Sequence, residues 1–295
     1  MGIQVVDAVS SSITRLFTDR GLLLMSVIES AILIALSMLY SSGPISNITG
    51  TLSSVNPSDV GTIAAGILQL IALVIVTLLV QAFFVFAILS KSFYGIKMGV
   101  NEAFNASINR YFTGIIAALV IGIAIVVPYV VLILLAALAP IAIVLFVPYL
   151  IYVVYVSTML SLSLPYAVIG KQGAIDSLRS SWNSVKGSWW SVFSAYLLLG
   201  AVYLVVSIII QLPVYLQLLP AYFSAFASGA ASPAQAQALT ATATSVANSP
   251  IGIATGFVAQ ILGAWLVILF AMVYSQLSKP QEQQKQPKPA SKMPK

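Results

Sequence analysis

"YFTGIIAALVIGIAIVVPYVVLILLAALAPIAIVLFVPYLIYVVYVSTMLSLSLPYAVIG", residues Tyr111 to Gly170, holds no charged side chain over 60 positions. A bilayer core about 30 Å thick is crossed by about 20 apolar residues in a helix, so this stretch is long enough to cross twice. Its apolar runs are continuous. The strands of a membrane barrel would instead be about ten residues long and alternate polar with apolar positions. The stretch therefore reads as two helices, Tyr111 to Leu138 and Pro140 to Ile169, reversing in an alanine-rich turn marked by Pro140. Pro128, Pro148 and Pro165 are expected to kink these helices, as a membrane tolerates when neighbours re-satisfy the freed carbonyls.

Further runs of the same kind lie at Gly21 to Ser41, Thr62 to Ser90, Ser188 to Gln211 and Ile253 to Leu277. The chain has 295 residues, 60% of them hydrophobic and 7% charged, with a mean hydropathy of +1.02. The class is all-α: a polytopic membrane bundle of six transmembrane helices. Met1 to Arg20 is mixed, carries Asp7 and Asp19 and is followed by no small-residue cleavage pattern, so the first run is read as a retained span.

Lysine and arginine mark the cytoplasmic loops of membrane proteins. Arg15 and Arg20 precede the first span, Lys91, Lys97 and Arg110 lie between the second and third, Lys171, Arg179 and Lys186 between the fourth and fifth, and five lysines follow the sixth. All 13 basic residues thus fall on one side. Both termini are expected in the cytoplasm, in a multi-pass protein of the cell membrane. The other side receives Ser42 to Gly61, whose only charge is Asp59, and the chargeless segment Leu212 to Gly252, which Pro213, Pro220, Pro233 and Pro250 are expected to break into pieces. Asn47-Ile48-Thr49 is an outer glycosylation sequon, whereas Asn105-Ala106-Ser107 falls on the cytoplasmic side. Residues 279–295, "KPQEQQKQPKPASKMPK", read as a disordered basic tail after a membrane domain of residues 1–278.

Between the fourth and fifth spans stands "AIDSLRSSWNSVKGSWW", Ala174 to Trp190. Ile175, Leu178, Trp182, Val185 and Trp189 recur every three or four residues, with Asp176, Arg179, Asn183 and Lys186 opposite, which predicts an amphipathic helix in the inner interface. Arg179, Trp182, Lys186, Trp189 and Trp190 are its candidate membrane anchors, the indoles at the headgroup level. Two earlier stretches share its columns: "DAVSSSITRLF" (Asp7 to Phe17) and "EAFNASINRYF" (Glu102 to Phe112) beside "DSLRSSWNSVK" (Asp176 to Lys186). An acid opens each, a small residue follows at Ala8, Ala103 and Ser177, and serine recurs at Ser12, Ser107 and Ser181. Apolar residues fill Val9, Phe104 and Leu178, then Ile13, Ile108 and Trp182. Arg15 and Arg110 match as anchors, while the third copy has Ser184 there and Lys186 two residues on. The acid suits the positive end of a helix dipole and the basic residue its negative end. Each copy precedes a pair of spans, so the fold is read as three parallel repeats of interfacial helix plus transmembrane hairpin, residues 5–90, 100–170 and 174–278.

The stretch "GAIDSLRSSWNSVKGSWWSVFSAYLLLG" resembles the segment before a late span in the six-helix membrane domain associated with glycerophosphoryl diester phosphodiesterases and related stand-alone membrane proteins. Ser181, Trp182, Lys186, Trp189 and Trp190 carry the resemblance, over about thirty residues. That family's soluble hydrolase domain has no counterpart, because no cluster of carboxylates and histidines exists to hold a metal, and its activity is not carried over. In size and topology the chain is also similar to the polytopic subunit of archaeal DNA-import machinery.

The chain has no cysteine and no histidine, which removes disulfides, thiol chemistry and histidine bases. It has no phosphate-binding loop, no paired intramembrane acids and no nucleophile with a base, so neither an enzyme nor a cofactor or metal is expected. Glu29 is the one acid well inside a span, about 12 Å beyond Gly21. Its charge costs about 3 kcal/mol on the insertion scale, which the aliphatic residues of the span offset. Gln69, Gln81, Gln211 and Gln260 are its candidate polar companions. The four-residue spacings Gly114-Ala118-Gly122 and Gly252-Gly256 suggest close helix packing. Expected partners are the lipid bilayer, other membrane subunits or a cytoplasmic ATPase, and nucleic acid along the basic face. The expected function is a non-enzymatic component of a transport or translocation system, channel-like, with DNA import among its cargoes. The alternative is a scaffold that organises lipids or subunits through its interfacial helices.

Overall fold

A computed structural model describes residues 5–42, 60–138, 144–227 and 233–285. Its elements are α1 (Val5–Thr18), α2 (Arg20–Ser42), α3 (Val60–Tyr94), a 3-10 turn (Gly95–Lys97), α4 (Val100–Leu138), α5 (Phe146–Leu160), α6 (Ser163–Val168), α7 (Ala174–Lys186), α8 (Trp189–Ala227), α9 (Pro233–Ala247) and α10 (Pro250–Lys285). Among the described residues there is no strand. Six stretches are long and apolar enough to cross a membrane: Arg20–Leu39, Ala64–Tyr94, Val100–Leu138, Phe146–Val168, Trp189–Ser224 and Pro250–Gln276. The protein is thus an all-helical, multi-pass membrane protein. The sequon at Asn47, Asp59, the reversal at Pro140 and the tail beyond Lys285 lie outside the described residues.

Helix boundaries depart from expectation where backbone satisfaction outweighs local propensity. Pro213 and Pro220 lie inside α8 without ending it. In an apolar surround, a helix that loses one bond at a proline is still better than one that stops and leaves several backbone groups unpaired. Pro233 and Pro250 instead open α9 and α10, at first-turn positions where the missing N–H is no loss. Helix α10 runs on to Lys285, seven residues into the stretch read as tail. Pro128 stays inside α4, and the carbonyl of Ala124, four residues back, accepts a hydrogen bond from the Tyr152 hydroxyl at 2.9 Å. The neighbouring span thereby satisfies the group that the proline frees.

The three acid-led stretches also end differently. The first stops at Asp19, whose Oδ1 accepts the N–H of Gly21 at 2.9 Å and of Leu22 at 3.3 Å and so caps α2. The third stops at Gly187-Ser188. The second has neither an aspartate nor a Gly-Ser step, and it continues unbroken as the first turns of α4.

The chain forms two compact units. One comprises Met1–Leu22, Val85–Gly200 and Leu266–Lys295; the other comprises Leu23–Phe84 and Ala201–Trp265. In the first unit α4, α5, α6 and α7 pack on one another. Its core includes Phe86, Leu89, Met159, Leu162, Val185 and Val192. At the end of the hairpins the rings of Phe93, Tyr166 and Tyr274 meet, with centroids 5.7 Å apart for Phe93–Tyr274 and 5.0 Å for Tyr166–Tyr274. These residues come from the second, fourth and sixth spans.

Candidate functional site

In the second unit α2 buries Met25, Ser26, Glu29, Ser30 and Leu33 on one face, at the three- and four-residue steps of a helix. Glu29 is 5% exposed. Ser30 spends its hydroxyl on the Ser26 carbonyl at 2.7 Å. No described residue makes a hydrogen bond or ion pair with the Glu29 carboxyl. Further along, a cavity of about 340 Å3 is bounded by α2, α8, the end of α9 and the start of α10. Ser37, Gln211, Asn248, Thr255 and Gln260 give it five polar side chains.

The candidate residues therefore separate into two groups. Gln211 and Gln260 come together in this cavity, on the same unit as Glu29, although Glu29 does not line it. Gln69 and Gln81 are exposed on α3 and do not join them. Sequence reasoning missed Asn248 and Ser37, because a single polar residue near a helix end carries no periodic signal. Gly252 does not serve a helix–helix contact: a β-carbon there would run into the carbonyls of Val246 and Ala247 at the end of α9, so its role is the tight α9–α10 turn.

In the first unit the three acid-led stretches present one burial pattern, column by column. Ser12, Ser107 and Ser181 are each 0% exposed, as are Ala103 and Ser177. Ile13, Ile108 and Trp182, one position on, are all exposed. The bundle-facing stripe thus carries small and hydroxylic residues at these columns, followed one turn on by Leu16 and Val185, and the large apolar residues Ile175, Trp182, Phe17 and Phe112 point away from it. Ser177 and Ser181 were not read as contact residues because hydropathy places serine on a polar face; within a membrane, small hydroxylic side chains let helices approach.

Ser181 has a further role. Its hydroxyl donates to the Met159 carbonyl at 2.7 Å and accepts the Leu162 N–H at 3.2 Å, bridging the break between α5 and α6. Pro165 causes that break, since it cannot donate to the carbonyl of Ser161. One turn on, Ser184 Oγ and Tyr166 Oη lie 2.7 Å apart.

The candidate anchors also divide. Arg15 is exposed along its stem but donates to the Ser92 carbonyl at 2.6 Å, tying α1 to the end of α3. Arg179, Lys186 and Trp190 are exposed, Trp182 is 36% exposed and Arg110 is half-buried. Trp189 stacks on Phe193, with centroids 4.9 Å apart and planes 7° off parallel, and its buried indole N–H has no partner. Lys91, counted among the loop cations, is instead 5% exposed inside α3 and pairs with Asp19 at 3.1 Å while donating to the Met98 carbonyl at 2.8 Å. Among the described residues no group of three or more metal-ligating side chains forms. The chain matches no protein-family model, and neither a curated protein nor a solved structure is similar to it.

Proposed function

We propose that this membrane protein is a non-enzymatic component of a transport or translocation system. The observation that carries the reading is the convergence of Gln211, Gln260, Thr255 and Ser37, all within candidate spans, and of Asn248, between the fifth and the sixth, on one cavity. Polar side chains gathered between spans mark candidate solute paths, and here Ser37 donates to the Ile34 carbonyl and Gln211 accepts from the Tyr215 hydroxyl. Glu29, buried on a helix that lines the same cavity, is the charge that a permeating ion or proton would sense. The reading includes three parallel repeats, for which the shared burial of Ser12, Ser107 and Ser181 is the support. It also places both termini in the cytoplasm, where the basic face suits a nucleic-acid cargo or a motor ATPase.

The test is flux across proteoliposomes for ions, small solutes and single-stranded DNA, comparing wild type with Glu29→Gln and Gln260→Leu. Glu29→Gln keeps shape and removes the charge, and it is expected to abolish or strongly reduce flux while leaving thermal stability unchanged. No flux for any cargo, with tight co-purification of another membrane subunit or ATPase, would overturn the autonomous path and leave the scaffold. That second reading has its own support in the exposed faces of Ile13, Phe17, Ile108, Phe112, Ile175 and Trp182, which are placed to meet lipid or a partner.

A further inference from the structure

The second unit, Leu23–Phe84 with Ala201–Trp265, contains no lysine and no arginine, and Glu29 and Asp59 are its only charged side chains. Its other titratable groups are the phenols of Tyr40, Tyr203, Tyr215 and Tyr222, none of which can supply a positive charge. In the first unit, the buried ammonium of Lys91 is already paired with Asp19 at 3.1 Å. Arg20, nine residues before Glu29 on α2, is exposed. A buried carboxylate without a counter-ion is costly, and Glu29 is 5% exposed with no basic residue in its unit. Its counter-ion has to come from outside the chain.

The surroundings of Glu29 select among cations. A hard metal ion takes about six or more oxygen ligands. On the buried face of α2, Glu29 stands with Met25, Leu33, Ser26 and Ser30, and the Ser30 hydroxyl is spent on the Ser26 carbonyl at 2.7 Å. Among the described residues Glu29 belongs to no group of three or more potential metal ligands. A single carboxyl in such a place suits a proton, which needs no coordination shell.

A source of protons lies further along the same helix. Leu33 is one turn beyond Glu29 and Ser37 two turns, so the three form one row. Ser37 and Ile34 both line the polar cavity, and Ile34 is five residues from Glu29, about 8 Å at the helical rise. At about 340 Å3 and with five polar side chains, that cavity can hold several water molecules. Leu33, 6% exposed, is the one residue of the row between that water and the carboxyl. We propose that Glu29 is a reversible proton-binding site, loaded from water in the polar cavity past Leu33. The exchange moves one proton between the carboxylic acid and a cavity water, leaving carboxylate and hydronium, and nothing is oxidised or reduced. On the transport reading, on which this use of the site rests, the proton is the species that crosses or drives the path.

The experiment places the full chain in proteoliposomes with dicyclohexylcarbodiimide, an apolar reagent that adds to protonated carboxyls within membranes, and maps the adducts by peptide mass spectrometry. Glu29 is expected to be labelled in mildly acidic medium, and its labelling to fall about tenfold per pH unit once the medium passes the midpoint of the site. Sodium or potassium in place of choline should give it no protection. Two variants test the route. A β-carbon at Gly256, which lines the cavity, would meet no atom within 4 Å, so Gly256→Leu fills space without a forced shift. After a sudden alkaline step, labelling should be lost more slowly in Gly256→Leu and faster in Leu33→Ser than in the wild type. Labelling that is absent, that is indifferent to pH or that an alkali cation prevents would overturn the proposal, and so would wild-type rates in both variants. Labelling needs no net flux, so the two readings fail separately. A titrating label without flux of any cargo would overturn the transport reading and support the proton site, whereas flux with Glu29 never labelled would overturn the site and leave transport standing.

Discussion

A β-carbon at Gly114 would overlap the ring of Phe86, whereas one at Gly122, two turns on along α4, would meet nothing within 4 Å. The two glycines share one four-residue spacing but only the first is in a close contact. Gly114→Ala is expected to destabilise by about 1–3 kcal/mol, the usual cost of overpacking, and Phe86→Leu in the same chain should recover part of it. Gly122→Ala should be neutral or stabilising by up to about 1 kcal/mol, since glycine is a poor helix former. Thermal melts in detergent distinguish the two, and equal losses would refute the contact. Asp19 offers a second test, because its carboxylate both caps α2 and pairs with buried Lys91. Asp19→Ala strands that ammonium, which typically costs about 3–5 kcal/mol. Asp19→Ala with Lys91→Met should be markedly more stable than Asp19→Ala alone, and a double variant no better than the single would mean that the cap, not the charge, carries the effect.

The serine stripe belongs to the scale of elements, because its value lies in where it lets one helix stand against others. Ser181 pairs two backbone groups across the α5–α6 break, so Ser181→Ala is expected to cost about 1–3 kcal/mol through unsatisfied backbone. A Ser181→Leu variant should cost more, as the site is fully buried. Leucine at Ser12 and Ser107 should be similarly harmful, while leucine at the adjacent exposed Thr14 and Asn109 should be tolerated; melts of the six single variants would show it, and indifference at the serines would sink the shared role. Six apolar runs and three acid-led amphipathic stretches were legible in the sequence, since hydropathy and period report burial in lipid directly. Which face of α7 turns inward was not, because Trp182 outranks Ser181 on any hydropathy scale while small size decides helix packing in a membrane. Nor was the continuity of α8 through Pro213 and Pro220, where tertiary surroundings override a local breaker. For the cavity of the second unit, Gln211 and Gln260 were legible as polar exceptions within apolar runs, and Gln69 and Gln81 gave the same signal yet face outward. One-dimensional polarity marks a residue as exceptional without saying which side of its helix it occupies.

At the scale of the whole molecule, the distribution of charge makes a prediction that no single helix makes. All 13 basic residues lie before the first span, in the links from second to third and fourth to fifth, after the sixth, or, for Arg20, Lys91 and Arg110, in the span ends that adjoin those segments, and such an asymmetry orients membrane proteins through the cost of translocating lysine and arginine. Six crossings then return the chain to the side on which it began. The absence of cysteine from the sequence makes the point directly testable, since any introduced thiol is the only one present. Ser10→Cys on α1, Asn183→Cys on α7 and Ser245→Cys on α9 sit at exposed positions. They are separated by four crossings and then one. A membrane-impermeant maleimide added to intact cells should label Ser245→Cys, and it should reach Ser10→Cys and Asn183→Cys only after the membrane is opened. Labelling of Ser10→Cys and Ser245→Cys from one side would mean that one of the six apolar helices fails to cross. The glutamine-lined cavity beside α9 would then open to the cytoplasm and not to the outside. Labelling of all three from the opposite side would keep six crossings but invert them, leaving the basic faces of α1 and α7 outside the cell and removing the rationale for a cytoplasmic motor or nucleic-acid partner.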